Sequence, residues 1–194
     1  DALLKIASHH HKEVNPITIA ITGSNGKTTV KEMMGKVLDS KKTIITKSNE
    51  NNQFGIPYTI LRCTSSTENL VLECGARHDG DFQKIAEYFS FDQLVITNIN
   101  NSHVGIFKSI ENIIRTKLEL AKAVKKSGNV IEAAFKNLSK NHKLLKESNE
   151  IKLYDSNDLN LNTAWFYKCE KDSDQNDQYQ ISLNSENTDR QFKF

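Results

Sequence analysis

The chain has 194 residues, with 26 Lys and Arg against 24 Asp and Glu, which leaves a formal net charge of +2. That length suits about one domain with a substantial core. The weak charge, without a basic run interleaved with aromatic residues, argues against a nucleic-acid partner. No apolar run approaches the roughly 20 residues of a membrane span, so we expect no membrane partner. The three cysteines lack metal-ligand spacing, a pattern typical of a reducing cytoplasm.

The first segment predicts a short polar helix that carries the consecutive histidines His9, His10 and His11. A histidine cluster can bind metal. A solvated helix face is the simpler interpretation, and it is the one that we predict here.

A strand, a loop and a helix follow in that order. Residues 17–22 are apolar and β-branched, which predicts a buried strand. The loop reads T-G-S-N-G-K-T-T, from Thr22 to Thr29. The helix after it carries an apolar face made of Val30, Met33, Met34, Val37 and Leu38.

Strands and helices continue to alternate along the chain. Further strands are predicted at 43–47, 69–76, 93–99, 129–135 and 151–154, with helices at 58–62, 79–90, 109–126 and 138–147. This alternation predicts an α/β fold with a mostly parallel sheet covered by helices on both faces, of the P-loop NTPase type. After about residue 160, short alternating strands predict a small antiparallel meander at the C-terminal end of a single domain, 1–194.

The loop has the parts of a phosphate-binding site. Gly23 and Gly26 allow backbone N–H groups to turn toward an anion at the start of a helix. Lys27 can reach the β and γ phosphates, and Thr28 can bind Mg²⁺. The usual spacing G-x-x-x-x-G-K-[ST] would require a glycine where this chain has Ile21. The strand, turn and helix nevertheless predict a nucleoside triphosphate site that also includes Ser24, Asn25 and Thr29.

The unusual spacing resembles the ATP loop of the Mur ligases and folylpolyglutamate synthases. Three further stretches resemble the same superfamily in the same order: S-N-E-N-N-Q-F-G-I-P-Y-T-I-L (48–61), V-L-E-C-G-A-R-H-D-G-D (71–81) and the segment 95–119. Together they look most like the MurF type. The resemblance implies a ligase that uses ATP and Mg²⁺ to join a carboxylate to an amine. It also implies that this chain is the central ATPase domain, without the UDP-binding and C-terminal domains.

The resemblance implies roles for several residues. Lys27 and one Mg²⁺ on Thr28 and Glu73 would serve the triphosphate. His103 would bind a second Mg²⁺ or orient its water. Asn51 and Asn52 resemble substrate-side contacts, although asparagines also form turns.

Lys117 has two interpretations. It lies on the apolar stripe of the predicted helix, between Ile114 and Ala121, so periodicity alone favours a packed stem with its ammonium in water. In several Mur ligases the matching lysine is carbamylated by CO₂ and contributes to a Mg²⁺ site. Burial would favour that reaction, because desolvation lowers the pKa of a lysine.

The resemblance implies the addition of D-alanyl-D-alanine to UDP-MurNAc-tripeptide through an acyl phosphate. Another Mur ligase, a folylpolyglutamate synthase-like ligase and a non-catalytic nucleotide-binding module remain alternatives. A P-loop kinase or GTPase is less favoured, because the full glycine spacing and a guanine-reading Asn-Lys-x-Asp are missing. We expect the isolated domain to be inactive as a ligase.

Overall fold

The computed structural model describes residues 1–76, 78, 80–99, 107, 109–132, 152–155, 166–171, 179–185 and 188–193. The chain divides into two compact units, Asp1–Ser156 and Asn157–Phe194. Within the described ranges, no helix has the length and apolar content needed to cross a membrane. The predicted helix at 138–147 lies outside the described residues.

Strands and helices alternate through the first unit, as predicted. The helices are α1 (Ala2–Val14), α2 (Lys27–Val37), α3 (Gly55–Leu61), α4 (Asp81–Tyr88) and α5 (Ile110–Glu119), followed by a 3-10 helix (Leu120–Ala123). The strands are β1 (Ile17–Thr22), β2 (Thr43–Ile45), β3 (Asn69–Glu73), β4 (Phe91–Ile96), β5 (Val124–Glu132) and β6 (Lys152–Asp155).

These six strands form one sheet in the order β2-β3-β1-β4-β5-β6, and every neighbouring pair is parallel. β1 therefore lies at the centre, between β3 and β4. The chain leaves β1 toward one side of the sheet and later crosses to the other side. Such a reversal opens a crevice at the carboxyl ends of the central strands, where α/β sheets bind their ligands.

Alternate residues of the central strands pack on opposite faces of the sheet. Ala20, Leu72 and Leu94 belong to the larger core, which also includes apolar residues of α1, α3, α4 and α5. Ile19, Val71 and Val95 belong to a smaller cluster against which Val30, Met34 and Leu38 of the α2 region pack. Helices thus cover both faces, which confirms the predicted α/β layering.

The predicted helix 109–126 is wrong at its C-terminal end. Its last residues, Val124 onward, form the start of β5, which pairs with β4 at Phe91. The heptad-like pattern continued past the helix because Val124 suits either a helical stripe or a strand. Tertiary pairing decides between them, since Lys125 Nζ donates to Asp92 Oδ1 of β4 at 2.8 Å.

The histidines of α1 do not share one solvated face, contrary to the prediction. His9 is exposed, but His10 Nε2 lies 2.8 Å from the carbonyl oxygen of Cys63. His11 is 6% exposed, and its Nε2 lies 2.8 Å from Thr18 Oγ1. Burial lowers the pKa of His11 to about 4, with the positive charge of Lys125 as a smaller cause. Of the three histidines, His10 and His11 therefore attach α1 to the rest of the unit, and only His11 does so at the sheet.

The second unit contains three strands: β7 (Phe166–Lys171), β8 (Tyr179–Ser185) and β9 (Thr188–Lys193). They pair antiparallel in the order β7-β8-β9. This arrangement confirms the antiparallel meander that the sequence predicts.

Candidate active site

The loop after β1 adopts two backbone conformations that favour glycine. Gly26 has φ 79° and stands at the N-terminal cap of α2, in the left-handed region. Gly23 has φ 149°, and a Cβ at this position would lie 1.9 Å from Thr97 Oγ1. The loop therefore approaches the end of β4 more closely than any residue with a side chain would allow.

The segment after β4 holds this loop in place. The N–H groups of Ser24 and Asn25 donate to the carbonyl oxygen and Oδ1 of Asn98, at 2.9 and 3.0 Å. Thr97 Oγ1 donates to the Asn25 carbonyl oxygen at 2.6 Å. Neither Thr97 nor Asn98 was among the predicted site residues. Their signal in the sequence was a polar pair directly after a buried strand.

Lys27 folds back over the loop that precedes it. Its Nζ donates to the carbonyl oxygens of Gly23 and Ser24, at 2.9 and 3.4 Å. Burial lowers the pKa of Lys27, and the negative charge of Glu73 partly opposes that shift. The positive charge of Lys27 thus lies at the carboxyl end of β1 and is partly removed from water.

Glu73, the last residue of β3, is 3% exposed and is held from several sides. Thr28 Oγ1 donates to its Oε2 at 2.9 Å, and Asn51 Nδ2 donates to its Oε1 at 3.0 Å. Lys31 Nζ lies 4.0 Å from Oε2. The structure therefore brings together Thr28 and Glu73, the two residues predicted to share a Mg²⁺.

Lys117 is 8% exposed, and its neighbours on the stripe, Ile114 and Ala121, are buried as well. Burial, together with the smaller effect of the positive charge of Lys27, lowers its pKa to about 8. The ammonium therefore does not reach water freely, contrary to the interpretation from periodicity alone. Lys117 therefore lies close enough to Lys27 for the two positive charges to repel each other.

The two predicted substrate-side asparagines have different partners. Asn51 holds Glu73, and its carbonyl oxygen accepts the N–H of Gly75 at 2.7 Å. Asn52 Oδ1 accepts the N–H groups of Phe54 and Gly55, both at 3.0 Å, and so supports the start of α3. Such a bond is the turn-forming role that asparagine commonly has.

A cavity of about 500 Å³ adjoins these residues. It is lined by Lys27, Asn49, Asn51, Asn52, Gln53, Phe54, Gly75, Ala76, His78 and Asp81. Lys27 thus belongs both to the glycine-bearing loop and to the wall of this cavity. Thr29 is exposed on α2, and His103 lies outside the described residues.

Lys31 is the residue that sequence reasoning missed most clearly. It is 1% exposed, and in the part of the chain that the structure describes it is the one residue of α2 that is buried. The apolar face predicted for that helix does not include Lys31. Lys31 follows Lys27 by one helical turn, and this spacing would have placed both ammonium groups on one side of α2.

The parallel sheet, with its glycine-bearing loop at the central strand, defines an α/β domain of the phosphate-loop class. The model of the family described as "Mur ligase middle domain" matches residues 21–192. The chain therefore belongs to the Mur ligase middle-domain family.

Individual relatives agree with this family. The UDP-N-acetylmuramoyl-tripeptide--D-alanyl-D-alanine ligase of Haemophilus influenzae is 34% identical over 146 residues, which are 73% of this chain and 31% of that protein. MurF from Acinetobacter baumannii has a similar fold, with a TM-score of 0.78 at 24% identity, over 99% of this chain and 41% of that one. The MurF ligase of Thermotoga maritima in complex with ADP gives a TM-score of 0.75 at 22% identity, over 100% and 44%. The chain thus spans less than half the length of each.

Proposed function

We propose that this chain is the central ATP-binding domain of a ligase that forms amide bonds in peptidoglycan precursor synthesis. The observation that carries the proposal is the geometry of one edge of the sheet, where the glycine-bearing loop, Lys27 and the Thr28–Glu73 pair meet in a member of the Mur ligase family. ATP is a cytoplasmic substrate, so the reaction belongs in the cytoplasm.

The triphosphate would lie across the loop from Gly23 to Thr29, at the N-terminus of α2. Helix N-termini favour anions, and here α2 begins immediately after the left-handed Gly26. Lys27 now donates to loop carbonyl oxygens, and a phosphate oxygen is a stronger acceptor for the same ammonium. That exchange of partners supports Lys27 as the residue that binds the terminal phosphates.

Mg²⁺ fits the donor set beside the loop. Thr28 Oγ1 and Glu73 Oε2 are oxygen donors 2.9 Å apart, and Mg²⁺ prefers oxygen ligands completed by water and substrate phosphates. When bound, the metal would neutralise phosphate charge. His103 stays a predicted second metal contact.

The reaction gathers negative charge, which the cations of this edge would stabilise. We propose that the acceptor peptide's carboxylate takes the γ-phosphoryl group of ATP, which releases ADP and forms an acyl phosphate. The incoming amine then attacks the acyl carbon, loses a proton and expels phosphate. The cavity next to Lys27 supports a place for the reacting carboxylate and amine, with Asn51 and Asn52 in its wall. The proposed substrates are UDP-MurNAc-tripeptide and D-alanyl-D-alanine, as the names of the relatives indicate.

Lys117 is proposed as a site of carbamylation. Its pKa of about 8 leaves a neutral amine fraction at neutral pH, and the neutral amine is the form that attacks CO₂. The product is an anion, which would relieve the repulsion between Lys117 and Lys27.

The test is an assay of the natural full-length chain that carries this sequence, with ATP, Mg²⁺ and both substrates. We expect phosphate release that depends on UDP-MurNAc-tripeptide and D-alanyl-D-alanine, together with the amide product in a mass spectrum. Residues 1–194 alone should form no amide. Phosphate release without any amide product from the full-length chain would contradict the proposal and favour a nucleotide-binding module.

A further inference from the structure

Lys31 is a buried cation that the proposed reaction does not use. It lies on α2, one turn beyond Lys27, and is 1% exposed. A buried ammonium is costly unless an anion stands close to it. The two carboxylates near Lys31 therefore decide what its charge does.

The first carboxylate, Glu32, lies 2.8 Å away, but its side chain is 55% exposed. Water screens such a pair. The second, Glu73, lies 4.0 Å from Lys31 Nζ, and its side chain is 3% exposed. Charge interactions are stronger away from water, so Lys31 acts mainly on Glu73.

The proposed metal site therefore already contains a cation on its protein side. Lys27 also acts on Glu73, and Lys117 senses the charge of Lys27. Two ammonium groups, those of Lys27 and Lys31, thus act on one buried carboxylate. Among the residues that the structure describes, no group of three His, Cys, Asp or Glu side chains could hold a metal ion. A divalent cation arriving alone would meet repulsion and few ligands, whereas a triphosphate supplies both negative charge and oxygen ligands.

We propose that Lys31 is a tethered counter-cation of Glu73 that keeps a divalent metal from binding tightly at this site before the nucleotide arrives. Lys31 is a positioning residue, because it acts through Glu73 and not on the substrate. It keeps the carboxylate compensated before the nucleotide arrives and opposes a metal that comes without phosphates. The inference rests on the proposed function, since it assumes that this edge of the sheet binds nucleotide.

The experiment measures Mn²⁺ binding to the natural full-length chain by electron paramagnetic resonance, with and without a non-hydrolysable ATP analogue. The readout is the Mn²⁺ affinity without nucleotide, and the sample with the analogue shows whether each variant still binds nucleotide. In Lys31→Met the Mn²⁺ affinity without nucleotide should rise by about tenfold or more, because the like charge beside Glu73 is gone. Lys31→Arg keeps the charge and should keep the wild-type affinity.

Two variants serve as matched controls. Lys36→Met removes an exposed lysine from the same helix, and Glu32→Gln removes the screened carboxylate. Both should leave the Mn²⁺ affinity without nucleotide unchanged. If Lys31→Met does not fold, Lys31→Gln replaces it with the same expectation, because it also removes the charge and keeps a polar side chain at the buried position.

The outcomes separate this inference from the proposed function. A wild-type chain that binds no nucleotide contradicts the proposed function. A wild-type chain that binds nucleotide, but binds Mn²⁺ equally well without it, overturns only the inference. An Mn²⁺ affinity that is unchanged or lower in a folded Lys31→Met or Lys31→Gln variant overturns it as well, because a merely structural role would not make the metal bind more tightly.

Discussion

The six-stranded sheet has an amino edge, where its parallel strands begin, and a carboxyl edge, where they end. Both contain polar side chains that are buried or half-buried, but they accommodate them differently. At the amino edge, His11 contacts Thr18, and the N–H of Thr18 donates to Asp92 Oδ2 at 2.8 Å. The other oxygen of Asp92 accepts from Lys125. The groups of this network satisfy one another within the protein, as buried polar groups usually do.

The carboxyl edge has an excess of positive charge instead. Lys27 and Lys31 act on Glu73, Lys117 is repelled by the charge of Lys27, and burial lowers the pKa of both Lys27 and Lys117. Keeping partly desolvated cations close together costs stability, and folds accept that cost mainly where a ligand compensates for it. The contrast therefore supports the proposal that the carboxyl edge binds an anion and that the amino edge is structural.

The largest expected effect tests the carboxyl edge. Lys27→Ala should weaken ATP binding by at least about a hundredfold, close to 3 kcal/mol, because it removes the ammonium that faces the phosphates. Its thermal unfolding should change little, since the hydrogen bonds of this ammonium within the described residues go to loop carbonyl oxygens. Titration calorimetry measures the affinity, with Lys36→Ala as the control on the same helix. Unchanged affinity in Lys27→Ala would contradict the assignment.

The second prediction uses His11 to test the structural role of the amino edge. The pKa of His11 is lowered from 6.5 to about 4, so between these values the unfolded chain holds the extra proton. Stability should therefore fall as pH drops through this window, by about 3 kcal/mol in total. Denaturant unfolding of His11→Gln as a function of pH should lack this loss.

His9→Gln is the matched control, because His9 is exposed on the same helix. It should keep the acid sensitivity of the wild-type chain. If His11→Gln and the wild type lose the same stability on acidification, burial of a neutral His11 is not the cause of that loss.

The smallest effect concerns Lys117, whose folded pKa of about 8 lies below the ordinary 10.5. Between these values the unfolded chain holds more protons, so stability should rise with pH. From about pH 7 to about pH 9 the gain should be about 1 kcal/mol. Lys117→Met should be more stable at neutral pH and should lack this gain in denaturant unfolding. The same rise in the variant would show that Lys117 is not desolvated.

Local patterns predicted much of the architecture. The apolar run at 17–22, the glycine-bearing loop and the amphipathic helix form β1, the loop and α2 in that order. The helical stripe also placed Lys117 in the interior, as observed. These features depend on residues close in sequence, which periodicity records well.

Contacts between distant segments were not predictable in this way. The bonds from the loop to Thr97 and Asn98 depend on β4 lying beside β1, which no local pattern records. The buried position of Lys31 depends on β3 lying under α2. The end of α5 was misplaced because Val124 fits a stripe and a strand equally well.

The most direct test of the central claim is a crystal structure of the natural full-length chain with a non-hydrolysable ATP analogue and Mg²⁺. We predict that the terminal phosphates bind the loop from Gly23 to Thr29 and that Mg²⁺ lies beside Thr28 and Glu73. The Lys27 ammonium should donate to a phosphate oxygen instead of the loop carbonyl oxygens. A triphosphate bound elsewhere, at a concentration that saturates the protein in solution, would contradict the assignment of the carboxyl edge.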